Sequence, residues 1–133
     1  MKYRLMDILA CPYDKNFPLK LYVLEEKIYE KRQFRWDKKP LCELYCEYLK
    51  KKIEELSEPP PCEECIKKEV AEGIIYCEIC NRWYPIIDEI PIFLPDEIRV
   101  KRKNQDLDFL KKHKERIPET ILKNGKPWTL ESD

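Results

Sequence analysis

The residues best suited to chemistry in this sequence are its seven cysteines. Six of them form spaced pairs, Cys42-x3-Cys46, Cys62-x2-Cys65 and Cys77-x2-Cys80, and Cys11 precedes them near the N-terminus. Two thiolates two residues apart can bind one ion from a tight turn, and zinc prefers four such ligands in a tetrahedron. The spacing therefore favours metal binding first and disulfides second.

The Cys77-x2-Cys80 pair supplies half of a zinc site, and two other segments could supply the second half. Cys62-x2-Cys65 is one candidate, and it gives a strong CxxC-x11-CxxC spacing. The other candidate is Cys11-x2-Asp14, in which a carboxylate serves as a less common zinc ligand. We prefer the second candidate, and the predicted metal ligands are Cys11, Asp14, Cys77 and Cys80.

The other four cysteines form a separate group, in which each pair presents two sulfurs about one helical turn apart. If two helices fold back across the proline run at 59–61, Cys46 meets Cys62 and Cys42 meets Cys65. Two disulfides would then staple a helical hairpin, each adding about 3 kcal/mol in the chain-entropy model. The alternatives are a share in the zinc site and free thiols that pack as small apolar residues.

Other catalytic arrangements find little support in the sequence. The only glycines are Gly73 and Gly125, so the chain cannot build the glycine-rich loops that bind nucleotide cofactors. The only histidine is His113, and it lies in a charged segment that is typical of a solvated helix. A thiol redox protein is the weaker interpretation of the CxxC pairs, because no βαβ pattern surrounds them.

The composition indicates a soluble protein without a strong charge bias. The 133 residues suffice to bury a core, and the net charge of +0 argues against binding nucleic acid by bulk charge. No apolar run approaches the roughly 20 residues of a membrane helix, and the N-terminus does not read as a secretory signal, so we expect a cytoplasmic protein. Abundant Lys, Glu and Ile are typical of thermophilic proteins.

Hydrophobic periodicity predicts antiparallel strands around the cysteine turns. Residues 1–10 predict a short strand, and 18–24 a second one with Leu19, Leu21 and Val23 on one face. After a break at Glu72-Gly73, further strands are predicted over 74–77 and, as a hairpin around Asp88-Glu89, over 82–87 and 90–94.

Helical patterns occur in the middle and at the end of the chain. A 3.6-residue apolar stripe predicts a helix over 40–56, and a second short helix follows the prolines over 62–70. Asn104 is the expected N-cap of a helix over 105–116, and 119–123 form another turn. The predicted fold is α+β: a small zinc-ribbon-like antiparallel β domain (1–24 and 71–97), a helical insertion (25–70) and a C-terminal helical extension (98–133).

Two surfaces of this predicted fold could bind partners. The hairpin concentrates large apolar side chains that a small zinc domain cannot easily bury on both faces, and leftover apolar surface marks a partner site. The predicted partner-binding residues are Trp83, Tyr84, Ile86, Ile90, Ile92, Phe93 and Leu94. The alternative is that residues 98–133 and the helical hairpin cover them. The basic helix 104–116 is either a solvated face or a peripheral contact for tRNA.

Three segments resemble a known family: MDILACPYD, EGIIYCEIC and YPIIDEIPIFLPDEIR. They resemble the multifunctional methyltransferase subunit family, small zinc-binding activators of tRNA, rRNA and release-factor methyltransferases in archaea and eukaryotes. The resemblance covers about residues 1–24 and 71–98. Residues 25–70 correspond to a variable helical insertion of the longer members, here an archaeal long form, without a residue-level match.

The resemblance implies a cofactor, a partner and a lack of catalysis. The family's Cys-Pro-x-Cys pair and later Cys-x-x-Cys map onto Cys11, Asp14, Cys77 and Cys80, and Asp14 departs from the pattern. Glu89 stands where the family often has glycine in the hairpin turn. The implied partner is a Rossmann-like S-adenosylmethionine-dependent methyltransferase, bound as a heterodimer. The rival interpretation is a zinc-ribbon module that binds nucleic acid directly.

Overall fold

The computed structural model describes residues 1–38 and 40–130. Its strands are β1 (Lys20–Ile28), β2 (Tyr45–Cys46), β3 (Lys51–Lys52), β4 (Lys68–Tyr76), β5 (Trp83–Ile87) and β6 (Ile90–Pro91). Its α-helices are α1 (Cys62–Cys65), α2 (Asp96–Arg99), α3 (Lys103–His113) and α4 (Glu119–Asn124), and short 3-10 helices span Tyr3–Asp7, Ile53–Glu55 and Val100–Arg102. One antiparallel sheet has the order β1-β4-β5-β6, and β2 pairs with β3. The α+β prediction is confirmed.

Strand β1 confirms the strand predicted from residue 18, but Val23 does not share the burial of Leu19 and Leu21. Leu21 packs in the core around Tyr84, whereas Tyr22 and Leu24 pack in the core around Trp83 on the opposite face of the sheet. Val23 is 39% exposed. Directly after it, the pairing of β1 with β4 shifts register, which marks a β-bulge.

Gly73 lies inside β4, so the predicted break at Glu72-Gly73 is wrong. It pairs with Val23 in β1, directly beside the bulge. A Cβ atom there would lie 2.8 Å from the Tyr22 carbonyl oxygen and 2.9 Å from Cγ1 of Val70. Glycine serves here because two backbones approach closely, and the chain does not turn at this position.

The hairpin between β5 and β6 is confirmed, with Asp88 and Glu89 as its two turn residues. Their φ angles are 51° and 68°, the left-handed pair of a type I′ turn, which usually carries glycine. Two contacts hold Glu89 in place: its backbone N–H donates to the Ala71 carbonyl at 3.0 Å, and the Tyr29 hydroxyl donates to its carboxylate at 3.0 Å. These bonds offset the cost of left-handed geometry at a residue with a side chain.

The predicted strand over 1–10 is wrong. The segment forms a 3-10 helix over Tyr3–Asp7, and Lys2 before it pairs with Glu69 of β4 in an isolated bridge. Its weak alternation has another cause: Met1 and Met6 both point into the core, five residues apart. Burial of two anchors here does not require extended pairing.

The helix predicted over 40–56 is also wrong. The carboxylate of Asp7 accepts backbone N–H bonds from Glu43, Leu44 and Tyr45 at 2.9, 2.7 and 2.7 Å. These donors are satisfied outside a helix, and the chain continues into the two short strands β2 and β3. Leu44, a member of the expected buried stripe, is 62% exposed. The second predicted helix shrinks to the single turn α1, after which β4 begins.

The C-terminal residues cover one face of the sheet. Trp83 stacks on Phe109, and its indole N–H donates to the Trp128 carbonyl at 2.9 Å. Arg99 and Asp106 form a buried ion pair at 3.0 Å beside this cluster. The opposite face carries a second core around Met6, Cys11 and Tyr84.

The turn predicted over 119–123 is part of α4, and the helix predicted over 105–116 is present as α3 with a different cap. The helix begins at Lys103, and Asn104 lies inside its first turn. The preceding 3-10 turn accepts the N–H of Lys103 at Val100, so a side-chain cap is not needed there. In the described part of the chain, no helix is long and apolar enough to cross a membrane.

Candidate metal centre

Two turns of the same geometry face each other at the end of the sheet. In the first, the N–H of Cys11 donates to the Asn16 carbonyl at 3.0 Å, and the N–H of Lys15 donates back to the Cys11 carbonyl at 2.9 Å. Lys15 has the left-handed φ of 64° that closes the turn. A tight turn of this kind directs the side chains of its first and fourth residues, here Cys11 and Asp14, to one side.

The second turn repeats these bonds in the segment after β4. The N–H of Cys77 donates to the Arg82 carbonyl at 2.9 Å, and that of Asn81 donates back to the Cys77 carbonyl at 2.9 Å. Asn81 has a φ of 65°. The fourth residue of this turn is Cys80, so the turn predicted at Cys77–Cys80 is confirmed. By this correspondence, Asp14 occupies the position that a second cysteine takes in the other turn.

The two turns bring four ligand atoms together, which we call the turn cluster: Cys11, Asp14, Cys77 and Cys80. All four ligand atoms lie within 4.8 Å of one another. The Cys11 and Cys80 sulfurs are 3.6 Å apart. The Cys77 thiol donates to the two Asp14 oxygens at 3.3 and 3.5 Å. The prediction from spacing placed these same four residues together.

The turn cluster has a buried side, at Cys77, and an exposed side, at Asp14, and the two groups differ in their preference for the charged form. The buried Cys77 thiol has its pKa raised to about 12, because burial disfavours the thiolate. The exposed Asp14 carboxylate accepts the Asn16 N–H at 2.9 Å, and this bond holds its pKa below the ordinary value. A bound cation would reverse the preference of Cys77, because a coordinating thiol gives up its proton.

Polar neighbours support the ligands from outside. The Asn16 side-chain amide donates to the Cys77 sulfur at 3.7 Å, and the Tyr84 hydroxyl lies 4.0 Å from the Cys11 sulfur. Contacts of this kind orient metal ligands and affect affinity. No pattern in the sequence singled out Asn16. It could have been found only by comparing the two turns position by position.

The donor set fits zinc. Three sulfurs and one carboxylate oxygen form a closed four-ligand set of the kind that structural zinc sites use. Hard cations such as Mg²⁺ and Ca²⁺ prefer oxygen ligands, so three sulfurs argue against them. The turn cluster could therefore hold a metal ion, and its chemistry favours zinc.

The second group of cysteines lies in the insertion and is called here the insertion cluster: Cys42, Cys46, Cys62 and Cys65. All four line the wall of one cavity and are free thiols in the structure. The predicted pairing of Cys46 with Cys62 and of Cys42 with Cys65 depended on a helical hairpin, and that hairpin is not formed. The cysteines nevertheless converge from two separate segments.

The predicted partner-binding residues divide into two sets. Trp83, Tyr84 and Ile86 are buried in the chain's own core and do not offer surface to a partner. Ile90 is 62% exposed, and Ile92, Phe93 and Leu94 are half-buried. The exposed set continues into residues that the sequence analysis did not name, since Ile98 and Val100 are also exposed.

Fold and site together define a small zinc-ribbon-like α+β protein whose two facing turns supply four metal-type ligands. Residues 2–89 match the model of the Trm112p-like protein family, which spans both turns and the insertion. The chain therefore belongs to the Trm112p-like family, a family of small methyltransferase-activating subunits that are in general not catalytic. The expected family is confirmed. No curated protein and no solved structure matches the chain.

Proposed function

We propose that this chain is a non-catalytic cytoplasmic subunit that binds, stabilises and activates S-adenosylmethionine-dependent methyltransferases acting on tRNA, rRNA or a translation release factor. Family membership supports a methyltransferase partner. The observation that carries the proposal is the exposed apolar edge at β6. Binding at this edge raises the stability of the partner because it favours the partner's folded state.

The edge offers both backbone and side chains to a partner. Strand β6 lies at the end of the sheet order, and no other strand in the described part of the chain pairs with its outer side. The N–H of Ile92 donates inward to the Pro85 carbonyl at 2.9 Å, which keeps the segment after β6 extended along β5. An exposed extended segment of this kind can add to the sheet of a partner.

Apolar side chains continue beyond the strand. Ile90 projects from β6, and Ile98 and Val100 follow on the short helices after Pro95. We call Ile90, Ile92, Phe93, Leu94, Ile98 and Val100 the docking edge. A row of exposed and half-buried apolar residues beside an unpaired strand edge is typical of a surface that is covered in a complex.

We further propose that zinc in the turn cluster fixes this edge. The first turn contacts the docking edge between Leu94 and Ile98, because the backbone N–H of Asp96 donates to the Tyr13 hydroxyl at 2.8 Å. The Arg82 guanidinium lies over the Tyr13 ring at 3.6 Å and pairs with Asp96 at 2.9 Å. These contacts join both metal-type turns to the start of α2, so the metal would hold the edge in a binding-competent shape.

Ile90→Asp tests the docking edge directly. We expect it to lower partner affinity roughly 30-fold, since removal of an interface anchor typically costs about 2 kcal/mol. The measurement is the amount of methyltransferase that co-purifies from native cell extract, identified by mass spectrometry. Ile90 suits this test better than Phe93, because Phe93 stacks on Tyr84 at 4.4 Å and its replacement would disturb the core.

Leu44→Asp is the matched control. Leu44 is 62% exposed, as Ile90 is, and lies in the insertion. The proposal predicts that this variant retains the partner and that both variants keep the thermal stability of the parent chain. Equal retention of methyltransferase by Ile90→Asp and Leu44→Asp would refute the docking edge.

We also propose that α3 lies near the RNA substrate in the complex. Lys111 is exposed, whereas its neighbour Lys112 pairs with Glu72 at 3.1 Å. Lys111→Glu should then weaken tRNA methylation more than release-factor methylation, with little effect on the fold. Equal effects on both reactions would argue against this position. Strong salt-sensitive RNA binding by the isolated chain would favour the rival nucleic-acid-binding module instead.

A further inference from the structure

The insertion cluster surrounds a cavity of about 20 Å³. A cavity of this size holds roughly one water-sized particle. Its wall includes the four thiol groups of the cluster together with the side chains of Lys2 and Arg4. Four soft donors around a space for one small particle point to an ion as the occupant.

The local structure explains how these donors meet. Cys62 and Cys65 begin and end the single turn of α1, and residues three apart lie on the same side of a helix. Cys46 lies in β2, whose first residue donates its backbone N–H to Asp7. We call the three hydrogen bonds from the backbone of residues 43–45 to the Asp7 carboxylate the Asp7 clamp. The clamp sets one cysteine pair opposite the other.

We propose that the insertion cluster binds a zinc ion through four cysteine thiolates. Tetrahedral coordination by four sulfurs is the geometry that zinc favours in structural sites. Four thiolates and one Zn²⁺ carry a formal charge of about −2. Arg4 lines the same cavity and its positive charge acts on the Cys42 thiol, so it offsets part of that charge, whereas the Lys2 ammonium already pairs with Glu69 at 3.3 Å. The site is separate from the turn cluster and shares no ligand with it.

The insertion has a structural need for such a cross-link. Among the described residues of 29–61, the buried side chains are Cys46, Glu47 and Pro60. Its two strands have two residues each, so hydrogen bonding also contributes little. A segment with so small a core is typically held by disulfides or a structural metal.

Binding requires a contraction of the cluster. Within the described residues, no three of these four sulfurs lie within 4.8 Å of one another, in contrast to the turn cluster. The segments that carry them are short, and a bound ion would draw them inward. A pair of disulfides would instead join the sulfurs two by two, and this is the competing outcome in the test.

Metal content and thiol counting test the proposal on the full chain. We expect two zinc ions per chain, measured by inductively coupled plasma mass spectrometry. In Cys65→Ser one ion should be lost, and in the matched control Cys80→Ser the other; both replaced thiols are half-buried and end a C-x2-C pair. Zinc content unchanged by Cys65→Ser, or iron in place of zinc, would overturn the assignment.

The thiol count separates metal from disulfides. Denatured in chelator without reductant, the chain should yield all seven thiols. If the four cluster cysteines form disulfides, only three of the seven remain titratable, and the proposal fails. Cys42→Ser serves as a second variant if Cys65→Ser does not fold. If neither variant folds, cobalt binding by the parent chain decides the matter through its absorption spectrum. The insertion cluster should give the spectrum of a tetrathiolate site, and the absence of such a site would overturn the proposal.

Discussion

The turn cluster and the insertion cluster contain similar residues at similar spacing, yet their backbones differ. Cys77-x2-Cys80 lies in a turn closed by a left-handed residue, and Cys62-x2-Cys65 lies in one turn of α-helix. The two CxxC pairs flank β4, a strand of nine residues that spans about 30 Å at 3.3 Å per residue. They cannot share an ion, although their spacing in the sequence suggests it. The backbone between and within the pairs decides which cysteines meet.

The comparison also concerns rigidity. Cys11 and Cys77 of the turn cluster belong to the buried core around Tyr84, whereas the insertion cluster rests on elements of two to four residues. We therefore expect the two clusters to respond differently to the loss of one ligand.

Cys77→Ser should have the largest effect. It removes a core ligand of the turn cluster, and we expect the free energy of unfolding to fall by more than about 4 kcal/mol, the range typical of a lost metal or disulfide. Cys65→Ser should cost less and act mainly on residues 40–66. Chemical denaturation with hydrogen exchange measures both. Equal global losses in the two variants would break the comparison.

Asp14 gives the sharpest test of the correspondence between the two turns. Asp14→Cys restores the missing thiolate and should tighten zinc binding, because zinc accepts a fourth sulfur in the same geometry. Asp14→Ala should weaken zinc binding by about 100-fold, the upper end of what supporting residues cost. Competition with a chromophoric chelator measures both affinities. If neither substitution changes zinc affinity, Asp14 is not a ligand.

Asp7→Asn tests the clamp on the insertion. The change removes the charge and one acceptor from a carboxylate that accepts three backbone N–H bonds. We expect a loss of about 2 kcal/mol, since hydrogen bonds to charged groups contribute roughly 1.5–3 kcal/mol each. Faster amide exchange should be confined to residues 43–46. Zinc affinity of the turn cluster should stay unchanged, and a drop there would show that the two regions are not independent.

Asp96→Asn should have the smallest effect. The hydrogen bond from Arg82 holds the pKa of Asp96 below its ordinary value of 3.8. A lowered carboxylate pKa stabilises the folded state above the unfolded pKa, and this contribution is lost as pH falls through the folded pKa. The half-exposed pair should contribute under about 1 kcal/mol. The stability difference between variant and parent should stay constant from about pH 7 to about pH 5 and shrink below about pH 4.

The sequence predicted the parts of the fold that depend on neighbouring residues. The Cys77–Cys80 turn, the strand from residue 18 and the two-residue hairpin at Asp88-Glu89 each follow from local spacing and alternation. The same holds for α3, whose apolar residues recur at helical spacing. The sequence also predicted that the four turn-cluster residues lie together, because each occupies the first or fourth position of a tight turn.

The failures arose where a distant residue determines the structure. Asp7 binds the backbone of residues 43–45, so a segment with helical periodicity forms short strands. Gly73 is needed for its approach to Tyr22, more than forty positions away in the chain. Burial of Trp83 likewise depends on Phe109 and Trp128. Local pattern cannot reveal a contact made by a partner far along the chain.

The C-terminal segment has a consequence for how other molecules can approach this protein. The family match ends at residue 89, and the residues after it seal one broad face of the sheet through Trp83 and Trp128. A chain shortened to the matched residues would expose that apolar face to solvent and would associate nonspecifically. With the segment in place, a partner meets the narrow edge of the sheet instead of its broad face. This favours recognition through backbone hydrogen bonding over burial of a large apolar surface.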